Sequence, residues 1–114
     1  MIRLDLKREP YWIDLGYGVR VFVRPCTTAL VMAARSAVLA GDAAATPGER
    51  TATLLRALAR LAIDAWEGVG DAEGQPAELS AGAVDALMDL WPIAEAFERL
   101  YFGPALLLDE EKNA

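Results

Sequence analysis

The stretch Tyr11-Trp12-Ile13-Asp14-Leu15-Gly16-Tyr17-Gly18-Val19-Arg20-Val21-Phe22-Val23 decides the fold class. Tyr11 to Leu15 leads into Gly16-Tyr17-Gly18, whose glycines tolerate the positive φ angles of a tight reversal, and Val19, Val21 and Val23 then alternate with Arg20 and Phe22. A two-residue period on both sides of a reversal predicts an antiparallel hairpin with one face buried. Upstream, Ile2, Leu4 and Leu6 alternate with Arg3, Asp5 and Lys7, a further strand that Pro10 ends. Downstream, Pro25 stops strand pairing, and Thr27 or Thr28 can accept from the free amides of a helix starting near Ala29. In that helix Leu30, Ala33, Ala34, Ala37 and Val38 fall near helical spacing, and Gly41 supplies the stop.

Thr46-Pro47-Gly48-Glu49 has the form of a capping box with proline in the first turn. From it Leu54, Leu55, Leu58, Leu61, Ala62, Ala65, Trp66 and Val69 recur at helical spacing, so one helix is expected to run on through Trp66. Each such leucine is worth about 1.5–3 kcal/mol when buried, which makes this stripe the expected spine of the core. Residues 68–79 are rich in Gly, Pro and acidic side chains and predict an exposed loop. Ser80 caps a third helix with Val84, Leu87 and Met88 on one face, closed by Leu90-Trp91. Pro92 opens a fourth, with Ile93, Ala96, Phe97, Leu100 and Tyr101 inward and Gly103-Pro104 at its end. The expectation is therefore an α+β fold, an N-terminal hairpin followed by a bundle of about four α-helices. It forms a single domain over 1–114, with a β-rich part at 1–25, a helical part at 26–104 and a tail at 105–114 that frays without a partner.

At 114 residues the chain has room for one domain, taking about 150 residues per domain, and its 54% hydrophobic content supports a packed core. Eleven basic against 17 acidic residues give a net charge of −6, which disfavours nucleic acid and anionic membranes as partners. With no histidine, His-based triads and His metal sites are excluded, and the single cysteine, Cys26, excludes an internal disulfide. The N-terminus lacks the apolar core of an export leader, and residues 29–45 are interrupted by Arg35 and Asp42, so a cytoplasmic, non-membrane protein is expected.

The remaining candidate chemistry is thin. Asp71, Glu73 and Gly74 lack the ligand series of a calcium loop, and Asp64 and Glu67 are best read on a helix face beside Arg60, one turn before Asp64, as surface ion pairing. Cys26 precedes a helix start but has no base to use it, so a semi-buried thiol without catalytic duty is expected. No cofactor, metal or enzymatic activity is anticipated. The aromatic residues remain: Trp66 and Trp91 read as core, whereas alternation in the hairpin turns one ring of Tyr11-Trp12 outward, which makes that pair an interface candidate.

Trp66-Glu67-Gly68-Val69, then Asp71-Ala72-Glu73-Gly74-Gln75-Pro76, Ser80 to Leu90, Pro92-Ile93 and Glu111-Lys112-Asn113 follow an order that resembles the tail assembly chaperones of long-tailed phages and prophages, over about residues 50–113. The resemblance implies a protein of the bacterial host cytoplasm that coats the helical tape measure protein before the tail tube forms around it. Its expected partners are the tape measure protein, the tail tube protein and further copies of itself. On that reading the partner-binding residues are Tyr11, Trp12, Trp66, Val69 and the apolar run Leu106, Leu107 and Leu108. The alternative is a small tail-completion or connector subunit that stays in the particle, which mass spectrometry of purified virions distinguishes.

Overall fold

The computed structural model describes residues 9–104. The segment containing Ile2, Leu4 and Leu6 and the tail containing Leu106, Leu107 and Leu108 lie outside the described residues. The chain is α+β. Strand β1 (Tyr11–Gly16) and strand β2 (Val19–Val23) form the expected hairpin, helices α1 (Thr28–Leu39) and α2 (Pro47–Ala62) follow, and strand β3 (Ile63–Glu67) returns to the sheet. Helices α3 (Ala81–Met88) and α4 (Trp91–Phe97) complete the layer, and α4 runs into a wider π-turn over Glu98–Phe102.

The sheet is antiparallel throughout, in the order β1-β2-β3. Tyr17 is the apex of the hairpin, with φ +57 between Gly16 at +84 and Gly18 at +77, and the register opposes Trp12 to Phe22 and Ile13 to Val21. Ile13, Leu15, Val19, Val21, Val23 and Ile63 point inward into one core with Leu55, Leu58, Val84, Leu87, Met88, Ile93, Phe97 and Tyr101. Helix starts follow the sequence signals. Thr27 accepts from the amide of Leu30, Thr46 from that of Glu49 and Ser80 from that of Ala83. The Thr46 hydroxyl also donates to the Glu49 carboxylate at 3.0 Å.

The principal departure from the sequence reading is β3. The expected helix through Trp66 and Val69 ends at Ala62, whose carbonyl accepts from the amide of Arg24 at 2.9 Å, and Ile63 turns extended with ψ 113. Pairing with β2 then satisfies the backbone that a continued helix would have satisfied internally. The misleading periodicity has a physical origin. A bulge at Asp64 places Ile63 opposite Val23 but Ala65 opposite Phe22, so Ile63 and Trp66 face the core side three residues apart, a spacing shared with helices.

Other expectations change with this geometry. Asp64 is no longer one helical turn beyond Arg60; it binds Arg24 at 3.1 Å, while the Arg60 guanidinium grips Asp85 of α3. Of the α1 stripe only Ala34 is buried; Ala33 and Ala37 are exposed because α1 packs chiefly on α2. Trp91, read as core, is 66% exposed because it opens α4 at the molecule's rim. Leu61 is 39% exposed on the side of α2 turned from the core, and Leu100 lies outside because the wider π-turn carries Tyr101 onto Phe97, their rings stacked at 4.9 Å. Helical backbone also continues through Gly103 and Pro104 instead of stopping there.

Candidate partner-binding surface

Burying alternate residues of a three-stranded sheet under helices leaves the intervening residues on its other face. Here that face carries the row Trp12, Phe22 and Ala65, one residue from each strand, and beside it the row Asp14, Arg20 and Glu67. Trp12 is 39% exposed and Phe22 and Ala65 are half-buried, so no described element covers them. The Trp12 and Phe22 rings meet at 5.2 Å and 45°, and the Arg20 guanidinium carbon lies 4.7 Å from the centre of the Trp12 ring. Arg20 also donates to Glu67 at 3.0 Å, and Arg24 donates to Asp64 at the far end of β2. The result is an aromatic patch pinned in place by ring contacts and bordered by the Arg20–Glu67 and Arg24–Asp64 pairs and by Asp14, whose carboxylate accepts from the Gly16 amide. Such a patch suits an apolar partner surface.

The sequence-derived residues divide. Trp12 lies on this face, on the edge strand β1 beside Phe22 of the central strand. Tyr11 pairs with Val23 on the opposite parity, at the start of β1, where burial and the nearby Cys26 push its phenol pKa up. Trp66 pairs with Val21 on the core side; it is half-buried, and its Nε1 donates to the Ala77 carbonyl at 2.9 Å. Val69 packs against the core, and its carbonyl accepts from the Ala77 amide at 2.9 Å. Trp66 and Val69 thus clamp the loop after β3 onto the sheet. Sequence reasoning passed over Phe22, Arg20 and Ala65. The signal for Phe22 was present, since taking Tyr17 as the apex pairs residues 12 and 22 directly.

The acidic loop is held by hydrogen bonds within itself, from the Asp71 carboxylate as well as from backbone. Asp71 Oδ1 accepts from the amides of Glu73 and Gln75, each at 2.9 Å, and Gly70 bridges to Pro76. Among the described residues no three Cys, Asp or Glu side chains converge as a cation cluster. Gly68, at the start of this segment, has φ +80, and a Cβ there would run into the carbonyl of Gly18, so the loop presses directly on the hairpin turn.

On the core side, the Tyr101 hydroxyl donates to the Arg24 carbonyl at 2.6 Å, and burial lifts its pKa well above the ordinary phenol range. Cys26 sits beside it, half-buried, and burial pushes its thiol pKa up, which suppresses the thiolate. Among the described residues, no helix is long and apolar enough to cross a membrane. No protein-family model, curated protein or solved structure matches the chain.

Proposed function

We propose that this protein is a tail assembly chaperone of a long-tailed phage or prophage, binding the tape measure protein in the host cytoplasm while the tail tube is assembled. The activity is binding, without a chemical step. The observation that carries the reading is the Trp12-Phe22-Ala65 row on the outer face of the sheet, over which no element among the described residues packs, opposite a face sealed by helices. An aromatic patch bordered by ion pairs offers the kind of surface on which apolar helix faces dock. The order of the Trp66-Glu67-Gly68-Val69 turn, acidic loop, Ser80 helix and Pro92 helix supplies the family context.

The test is a pull-down with the tape measure protein that this reading expects to be encoded beside the gene, run with thermal melts of each variant. Trp12→Ala and Phe22→Ala are expected to abolish capture while retaining a cooperative melt. Undiminished capture by both variants refutes the assigned surface. The chaperone is also expected to be missing from purified particles, and its stoichiometric presence there would establish the connector alternative instead.

A further inference from the structure

Five arginines among the described residues are engaged with carboxylates: Arg20 with Glu67, Arg24 with Asp64, Arg56 with Asp89, Arg60 with Asp85 and Arg99 with Glu95. The two other described arginines, Arg35 on α1 and Arg50 on α2, have no carboxylate partner among the described residues. Among the described residues the Arg50 guanidinium donates to the Ala43 carbonyl, at 3.2 Å, and to no carboxylate. Both line one groove of about 380 Å³ between α1 and α2, together with Val38, Leu39, Thr51 and Leu54. In a chain of net charge −6, the two arginines without a carboxylate partner among the described residues thus stand together where the surface is apolar.

Helix α1 makes this more pronounced. Only Ala34 of its twelve residues is buried, and Leu39 is 85% exposed at the mouth of the groove. We propose that the α1–α2 groove docks an apolar segment of a separate polypeptide, one that carries carboxylates next to leucine-like side chains. The apolar side chains cover Val38, Leu39 and Leu54, and the carboxylates take the forked guanidinium donors of Arg35 and Arg50. A basic segment is repelled by both arginines, and a neutral one leaves their charge uncompensated. The groove lies on the helical hairpin, away from Trp12 and Phe22, so the proposal stands independently of the sheet-face reading.

The probe is the synthetic peptide Ala-Leu-Leu-Leu-Asp-Glu-Glu, with Ala-Leu-Leu-Leu-Asn-Gln-Gln as its neutral counterpart, each titrated into the isotope-labelled full chain. The acidic peptide is expected to shift the amide resonances of Arg35, Val38, Leu39, Arg50, Thr51 and Leu54. Its binding weakens about tenfold in the double variant Arg35→Gln, Arg50→Gln, and again as salt is raised. The neutral peptide is expected to bind about tenfold more weakly than the acidic one. Both arginines are solvent-exposed, so an unchanged melt of the double variant separates lost binding from lost folding. Equal binding of the two peptides, shifts confined to Trp12 and Phe22, or no shift at millimolar peptide overturns the proposal. The acidic probe also occurs in this chain at residues 105–111. Self-association of the wild type that the double variant abolishes would therefore identify a second copy as donor, and would overturn the assignment to a separate polypeptide.

Discussion

Replacing Gly68 with alanine isolates the contact between the acidic loop and the hairpin turn. Gly68 has φ +80, which costs an L-residue about 1–2 kcal/mol, and its new Cβ would meet the Gly18 carbonyl, a backbone atom that cannot swing aside like the end of a side chain. Relieving that overlap means displacing either the turn or the loop, a further cost of about 1–3 kcal/mol by analogy with overpacking. Gly74 provides the control, because its φ is +79 but a Cβ there meets nothing within 4 Å. Both substitutions remove the same unfolded-state freedom, so their difference reports the close approach alone. In urea denaturation, Gly68→Ala is expected to lose about 1–3 kcal/mol more than Gly74→Ala, with unchanged slope, and to melt at least about 4 °C lower than that control. Equal losses in the two variants would refute the argument, since the strained φ would then account for everything.

Trp66→Phe removes the indole donor to Ala77 while keeping a ring on the core side, and is expected to cost about 1 kcal/mol, with faster amide exchange across residues 70–77; unaltered exchange there would contradict the clamp. The Arg60 guanidinium holds the Asp85 carboxyl below its ordinary range, so the pair's contribution is present above the unfolded carboxylate pKa of about 4 and is lost as pH falls through the lower folded value. As a surface pair it is worth about 1 kcal/mol or less, and the melting difference between wild type and Asp85→Asn should shrink on acidification through that window. Burial raises the Cys26 thiol pKa, so its stabilising term is complete below the unfolded thiol value of about 8.5 and is lost as pH rises through the folded value. Iodoacetamide should accordingly label native Cys26 more slowly at pH 8 than the urea-unfolded chain, and equal rates would contradict the burial.

The parts of the fold that were readable from sequence are those governed by neighbouring residues. Gly16-Tyr17-Gly18 specified a reversal, and Thr27 or Thr28, Thr46 and Ser80 marked the helix starts, the first cap being Thr27, because turn and cap chemistry acts over two to four positions. What escaped was decided by distant partners. Residues 63–67 carry no breaker, and only the open edge of β2, far back in the chain, makes them a strand. The bulge at Asp64 then gave that strand a helix-like spacing of inward residues. The same limit applied to the candidate surface. Alternation, which is local, singles out the Tyr11-Trp12 pair without saying which ring turns outward, whereas Phe22 and Ala65 join Trp12 in one row only once the strand register is known. Trp66 reads as core from its spacing and as a partner-binding residue only through the resemblance; it is half-buried, with its indole donating to the Ala77 carbonyl.

The return of β3 to the sheet also orders events during folding. Strands β1 and β2 find each other across a single turn, but Arg20 and Glu67 meet from 47 positions apart. A two-stranded ribbon is marginal in water, so the hairpin persists only once that third strand arrives. The entropy of closing so long a loop falls when α1 and α2 have already folded back on one another, because the helical detour then acts as a short, stiff bridge. Folding is therefore expected to pair α1 with α2 first and to complete the sheet afterwards, so that in pulsed hydrogen exchange the β3 amides gain protection after those of α2.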